Sequence, residues 1–184
     1  TAAETGIGIL IDAEESWIQD PVDRITMEMM ELYNRGKVLV FNTIQLYRHD
    51  RLDFLKLSHR IAQQNQFNLG VKLVRGAYME KERARALEMG YASPIQKSKD
   101  ATDLDFNLAV QYCFEHIDSI SYVIATHNEL SVMKATELLN QKGLLHHHDH
   151  VRFSQLLGMS DNITFNLAKQ GYSVSKYVPF GPIR

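Results

Sequence analysis

The chain has 184 residues, a formal net charge of −2 and 23% charged residues, which is the composition of an ordinary globular protein. The near balance of acidic and basic residues argues against a nucleic-acid-binding protein, because such proteins carry a marked basic excess. No apolar run approaches the ~18 residues of a membrane-spanning helix, and the first residues do not resemble a signal peptide. The single cysteine, Cys113, cannot form an internal disulfide and fits a reducing compartment.

Six short runs of mostly aliphatic, β-branched or aromatic residues predict β-strands. In chain order they are residues 7–11, 38–41, 71–74, 122–125, 151–153 and 174–178. The first two runs are continuously apolar, which predicts parallel strands that are buried on both faces.

Helical spacing of apolar residues separates these runs. The first helix is predicted to begin at Asp20-Pro21, an N-cap followed by a proline, and to end at Gly36. The later helices are predicted over 52–62, 84–89, 104–116, 132–139 and 163–168. Strands that alternate with helices predict parallel βα units in an α/β domain.

Each predicted strand is followed by ionisable or hydrogen-bonding residues. In (βα) barrels the reactive residues lie at the C-terminal ends of the strands, so six such ends favour one shared site. Arg75 next to Gly76 is the most informative pair, because the glycine lets a ligand approach the backbone and the arginine can bind a phosphate or carboxylate with two donors. A surface arginine in an ordinary turn is the alternative for this pair alone. Asp12 can be a site carboxylate or one half of a structural ion pair.

On six stretches the sequence resembles the flavin-dependent proline dehydrogenases. They are residues 12–15 (DAEE), 41–47 (FNTIQLY), 72–78 (KLVRGAY), 125–129 (ATHNE), 153–159 (FSQLLGM) and 176–182 (KYVPFGP). These stretches follow the order of the family and span almost the whole chain, so the series is far more specific than any one of its members.

The resemblance implies a distorted TIM-type (βα) barrel with FAD over the C-terminal ends of its strands. It makes Asp12 and Lys72 the catalytic residues, and at the position of Lys72 many bacterial family members carry a basic residue that is usually arginine. Lysine keeps the positive charge but loses the planar fork. The implied cofactor-binding residues are Ala13, Gln45, Arg75, Gly76, Ala77, Thr126 and His127. The implied substrate-binding residues are Tyr78, Leu156 and Tyr177.

The activity implied by the resemblance is oxidation of L-proline to 1-pyrroline-5-carboxylate, the first step of proline catabolism to glutamate. Hydride passes to the flavin and the electrons then go to a quinone. L-proline and a quinone are therefore the expected partners, without nucleic acid or a transmembrane segment. The expected location is the cytoplasm, with peripheral association at the inner membrane, or alternatively the mitochondrion. The resemblance also allows an oligomer.

Two alternatives remain open from the sequence. The family places an arginine pair for the substrate carboxylate after the last strand and a lysine on an earlier strand. Neither has a match between Thr1 and Arg184, so a catalytically inactive fragment is one alternative. A generic barrel enzyme that binds an anionic ligand is the other. The cluster His146-His147-His148-Asp149-His150 is interpreted as a solvated loop, and no metal site is expected.

The length itself predicts an incomplete barrel. Six βα units in this chain average about 31 residues, and eight such units would need the ~250 residues that are typical of a closed barrel. Residues 1–184 are therefore expected to form one proline dehydrogenase-like domain that is truncated at both ends. It would contain strands three to eight of the barrel, with open edges at both sides of its sheet.

Overall fold

The computed structural model describes residues 2–144 and 148–181. All six predicted strands are present, with bounds that differ by a few residues. They are β1 (Ile9–Ile11), β2 (Val40–Gln45), β3 (Leu69–Val74), β4 (Ile120–Ala125), β5 (Val151–Leu156) and β6 (Val174–Tyr177). The helices are α1 (Ala2–Thr5), α2 (Ser16–Tyr33), α3 (Arg51–Gln64), α4 (Met79–Met89), α5 (Lys99–Glu115), α6 (Glu129–Gln141) and α7 (Asp161–Lys169).

The strands form one parallel sheet in the order of the sequence, β1 to β6. Each strand pairs with the next in parallel register, as between Asn42 and Val71 or between Ser154 and Ser175. Because every connection passes through at least one helix, the six βα units predicted from the sequence are confirmed.

The sheet is strongly curled. In a flat sheet the two edge strands would lie about 24 Å apart, five steps of ~4.8 Å. Yet the Tyr177 hydroxyl at the end of β6 donates a hydrogen bond of 3.1 Å to Asp12, just beyond β1. Two side chains span this distance only if the sheet bends into the wall of a barrel. The described residues thus form six units of an open, distorted (βα) barrel, which confirms the predicted fold class.

The sequence-based prediction for β1 was wrong in one respect. Ile9 and Leu10 are 44% and 43% exposed, although their apolar character predicted burial on both faces. The reason is position, because β1 pairs only with β2 in the described part of the chain and forms an edge of the sheet. The apolar side chains are those of an edge strand that lacks a neighbour on one side.

The start of α2 also differs from its prediction. The helix begins at Ser16, and Pro21 lies inside it, although Asp20-Pro21 has the pattern of a helix start. The first backbone N–H of α2 is satisfied by Glu82 on α4, a partner that no local pattern reveals. Cys113 is buried in the core on α5, as predicted, and burial raises the pKa of its thiol.

Candidate active site

A cavity of about 630 Å³ opens at the C-terminal ends of the strands. All twelve residues that the sequence assigned to a site line this one cavity: Asp12, Ala13, Gln45, Lys72, Arg75, Gly76, Ala77, Tyr78, Thr126, His127, Leu156 and Tyr177. Their common position is a property of the fold, since parallel strands deliver their C-terminal ends to the same side. The separate roles assigned to them remain predictions.

Gln45 and Leu156 are the last residues of β2 and β5, whereas the sequence placed both in the loops after shorter strands. The difference at β2 has a physical reason, because its polar side chains find partners and can therefore be buried within a strand. Asn42 donates to Asp23 and Thr43 donates to the backbone of Ile11. A regular strand thus carries Gln45 into the cavity wall.

Asp12, Lys72 and Tyr177 form a connected group across the cavity. The Lys72 ammonium on β3 makes an ion pair with one oxygen of Asp12, and the Tyr177 hydroxyl donates to the other. The lysine side chain is only 10% exposed, whereas that of Asp12 is 45% exposed. The Asp12 carboxylate raises the pKa of Tyr177, chiefly through its negative charge and then through the hydrogen bond. Tyr177 therefore remains a protonated donor at neutral pH.

Gln45 joins two of the loops that enclose the cavity. Its side-chain nitrogen donates to the backbone oxygen of Glu14 at 2.8 Å, and its side-chain oxygen accepts from the backbone N–H of Ala77 at 3.3 Å. One loop follows β1 and the other follows β3, the two strands that flank β2, so this buried amide fixes their separation. A polar group buried with both ends satisfied is rigidly oriented.

Gly76 allows the backbone to pass close to an aromatic ring. Its φ is +137°, and a Cβ at this position would lie 2.4 Å from the ring of Tyr47. Only glycine adopts this conformation without strain and fits the available space. Tyr47 is itself buried, and this burial raises its pKa to about 12. The uncharged Tyr47 ring therefore packs against the loop at Gly76.

Arg75 is held by three protein acceptors. Its Nε donates to Asp103 at 2.6 Å, one terminal nitrogen donates to Thr126 at 2.7 Å, and the other donates to Ser131 at 3.0 Å. A guanidinium has five N–H donors, so two of them have no acceptor among the described residues. Although burial acts to raise the pKa of Asp103, hydrogen bonds from Lys99 and Arg75 hold it below its ordinary value. Asp103 therefore stays ionised and fixes the arginine.

The cavity lining carries more positive than negative charge. Lys72, Arg75 and Lys99 are its cationic residues, against the single carboxylate of Asp12. His127 also lines the cavity, but burial and the nearby Lys176 lower its pKa, so it is neutral at pH 7. Such a lining attracts anionic ligands.

Tyr78 forms part of the wall next to the loop after β1. It is the N-cap residue of α4, and its hydroxyl donates to the Glu14 carboxylate at 3.1 Å. Burial, followed by this hydrogen bond, raises the pKa of Tyr78. Leu156 is partly exposed at the end of β5 and adds an apolar surface.

The sequence-based prediction missed several lining residues, namely Thr43, Val74, Lys99, Ala125, Asn128, Ser154 and Gln155. Most of them lie inside or next to the matched stretches, where the family resemblance assigned a role to an adjacent residue instead. Lys99 is different, because it begins α5 and does not follow a strand directly. The rule that site residues lie at the C-terminal ends of strands therefore does not predict it. Its pairing with Asp103 at 2.5 Å brings it to the cavity.

Within residues 2–144 and 148–181, no group of three or more His, Cys, Asp or Glu side chains is arranged to hold a metal ion. His146, His147 and Arg184, which were considered from the sequence, lie outside the described residues. None of the helices in the described ranges combines the length and apolar character that crossing a bilayer requires.

The comparisons with known proteins agree with one another on the family. The family model described as proline dehydrogenase matches residues 1–184. The human protein named proline dehydrogenase 1, mitochondrial, is 41% identical over 186 residues, which is 99% of this chain and 31% of that protein. A Xenopus laevis hydroxyproline dehydrogenase is 34% identical over 186 residues, covering 99% of this chain and 40% of that protein. The chain thus spans about a third of the length of the curated relatives it matches.

The fold is also found in a solved structure. The crystal structure of proline utilization A from Bdellovibrio bacteriovorus, inactivated by N-propargylglycine, superposes with a TM-score of 0.91 at 23% identity. The match covers 99% of this chain and 19% of that one. At this identity the likeness concerns the fold, in which the six-unit sheet corresponds to part of a barrel domain.

Proposed function

The chain belongs to the proline dehydrogenase family, and we propose on this basis that it forms the cofactor and substrate site of an enzyme that oxidises L-proline to 1-pyrroline-5-carboxylate. This reaction is the first step of proline catabolism to glutamate. The observation that carries the proposal is the single cavity in which Asp12, Lys72 and Tyr177 lie together with the loop 75–78. Residues 1–184 would be one barrel domain, truncated at both ends, within a longer protein.

The cavity residues fit FAD as the cofactor. Two Arg75 donors have no acceptor in the described ranges, and Lys99 pairs with the same carboxylate as Arg75, so this part of the cavity suits the diphosphate of a dinucleotide. Thr126 and His127 lie directly before the N-terminus of α6, where the helix dipole also favours an anion. Ala13, Gln45, Gly76 and Ala77 would complete the cofactor-binding set. When bound, FAD would supply the oxidant by accepting a hydride from C5 of proline and passing the electrons to a quinone.

Three further lining residues would suit a small zwitterionic ring. Tyr78, Leu156 and Tyr177 supply two aromatic rings and an aliphatic side chain, which would hold the proline ring and exclude water. The half-exposed Asp12 is available to a cationic amine. Lys72 supplies a positive charge in the wall, which would favour an electron-rich reduced flavin beside it.

We further propose that the protein works in the cytoplasm, with peripheral contact to the inner membrane where a quinone accepts the electrons. A mitochondrial location is the alternative, and it is supported by the names of the human and Caenorhabditis elegans relatives. The open edges of the sheet, with exposed apolar residues at Ile9, Leu10 and Val178, are places where further strands of a longer protein or of a second copy would pair.

The test of the cofactor site is a flavin titration of the complete natural protein that contains this chain. We expect bound FAD in the purified wild-type protein. The variant Gln45→Ala should bind FAD at least about tenfold more weakly, because two loops lose their common hydrogen-bond partner. The matched control Gln63→Ala, at an exposed position on α3, should bind like the wild type. A wild-type protein without flavin would favour the generic anion-binding alternative. Flavin that L-proline reduces in the complete protein but not in residues 1–184 alone would favour the inactive fragment.

A further inference from the structure

Glu82 is a fully buried carboxylate (0% exposed) near the start of α4. A buried carboxylate is costly unless hydrogen bonds or an opposite charge compensate it. No ion-pair partner of Glu82 is found in the described part of the chain. Its oxygens instead accept two hydrogen bonds from a single residue, Ser16, at 2.5 Å from the backbone N–H and at 2.7 Å from the hydroxyl.

Ser16 is the first residue of α2, and this helix lacks a side-chain cap of its own, because Glu15 at the N-cap makes no such hydrogen bond. A helix N-terminus presents unsatisfied N–H groups and a partial positive charge. The Glu82 carboxylate meets both needs from a position 66 residues later in the chain. It is therefore a tertiary cap that couples the starts of α2 and α4.

Two other contacts join the same segments. The Tyr78 hydroxyl donates to Glu14, and the Lys81 ammonium pairs with Glu15. Three neighbouring residues, 14 to 16, thus bind three residues at the start of α4. The segment 14–16 follows directly on Asp12 and Ala13 in the cavity wall, so this junction fixes the wall on that side.

The three contacts differ in strength. The Lys81 side chain is 62% exposed, and exposed ion pairs contribute little because solvent screens them. The hydrogen bond between Tyr78 and Glu14 is partly buried. The Glu82 carboxylate is fully buried, although its partner Ser16 is partly exposed, and charge-assisted hydrogen bonds to a buried carboxylate are the strong ones.

We infer that Glu82 is a positioning residue for this site, which holds the loop 12–15 against the start of α4 and thereby sets the places of Asp12 and Tyr78. This inference rests on the proposed function for its kinetic consequence, but its structural part does not. Glu82 does not line the cavity, so it acts through the loop. The family resemblance in the sequence assigned no role to Glu82.

The test uses Glu82→Gln, which keeps the size of the side chain, removes the charge and puts an N–H₂ group where Ser16 needs an acceptor. In the complete protein we expect KM for L-proline to rise about tenfold, the effect of ~1.4 kcal/mol, with kcat changed less than about twofold. Hydrogen exchange in a peptide covering residues 12–18 should accelerate in the same variant, with or without proline.

Three further variants control the experiment. Lys81→Met removes the exposed ion pair and the contact of the ammonium with the Trp17 ring, and it should leave KM and hydrogen exchange as in the wild type. Glu82→Asp keeps the charge and should recover part of the KM effect. Ser16→Ala removes one of the two hydrogen bonds, so it should show a smaller change in the same direction even if Glu82→Gln folds poorly.

The inference is overturned if Glu82→Gln and Ser16→Ala leave hydrogen exchange over residues 12–18 unchanged. It is also overturned if KM rises while kcat, flavin affinity and the melting temperature all fall, which is the signature of general destabilisation. A wild-type protein that L-proline does not reduce would instead refute the proposed function, and the hydrogen-exchange comparison would still decide the role of Glu82.

Discussion

Replacing Gly76 with alanine should destabilise the protein and disturb the cavity in a way that another glycine replacement does not. The glycine has a φ of +137°, and an added Cβ would lie 2.4 Å from two ring carbons of Tyr47 and 2.6 Å from a third. The Tyr47 ring is buried, so it cannot move aside into solvent. The backbone of the loop 75–78 must therefore shift.

The expected size of the effect has two parts. Holding a non-glycine residue in a sparsely populated backbone region costs about 1–3 kcal/mol, and forcing an extra methyl group into a packed site costs a further ~1–3 kcal/mol. Gly90→Ala is the matched control, because Gly90 also has a positive φ, +72°, but no atom lies within 4 Å of its added Cβ. Gly90→Ala incurs only the cost of the backbone conformation. The free energy of unfolding should therefore fall by about 1–3 kcal/mol more in Gly76→Ala than in Gly90→Ala.

Urea unfolding of the two variants and the wild type measures this difference in the free energy of unfolding. A parallel FAD titration should show weaker binding for Gly76→Ala alone, because Arg75 and Ala77 flank the shifted residue and line the cavity. Equal losses of stability for the two variants would refute the steric argument. Unchanged FAD affinity in Gly76→Ala would refute the assignment of this loop to the cofactor.

Asp23→Asn should lower the free energy of unfolding by about 3–5 kcal/mol, because it removes the buried ion-pair partner of Arg51 on α3 and leaves only the longer contact of 3.9 Å with the more exposed Asp50. Glu31→Gln, at an exposed ion pair, should change it by less than ~1 kcal/mol in the same urea titration; similar losses would contradict the argument. Burial lowers the pKa of His59 from 6.5 to about 4, so between these values the unfolded chain binds a proton that the folded one does not. Stability should therefore fall as the pH drops from 6.5 to 4, and His59→Asn should flatten this part of a thermal-unfolding profile; an unchanged profile would exclude His59 as the cause. Tyr177→Phe keeps the ring but loses the hydroxyl that hydrogen-bonds across the cavity, so kcat/KM for L-proline should fall about tenfold in steady-state assays, and an unaltered value would remove Tyr177 from the substrate site.

The sequence was informative where a local pattern and the topology act together. Asp12, Arg75 and Thr126 follow apolar runs, and parallel strands bring such positions to the same end of a sheet. The apolar runs and the parallel topology together are therefore sufficient to predict that these residues surround one cavity. The sequence does not predict the contact partners of these residues. Asp103, which binds Arg75, lies on a helix surface and no sequence pattern distinguishes it.

Long-range pairs account for most of what the sequence could not predict. The start of α2 depends on the pair of Ser16 and Glu82, which are 66 residues apart, and a local cap pattern at Asp20 suggested a different start. The exposure of β1 depends on the absence of a neighbouring strand in the described ranges, whereas Ile9 and Leu10 have the composition of a buried strand. Both outcomes are tertiary, and local propensity carries no information about them.

Anaerobic mixing of the complete protein with L-proline, followed by its flavin absorbance, tests the central claim most directly. If the cavity that contains Asp12, Lys72 and Tyr177 is a proline oxidation site, the flavin bands should bleach on addition of L-proline and return when a quinone is added. A flavin-containing protein whose absorbance stays unchanged at saturating L-proline would contradict this account.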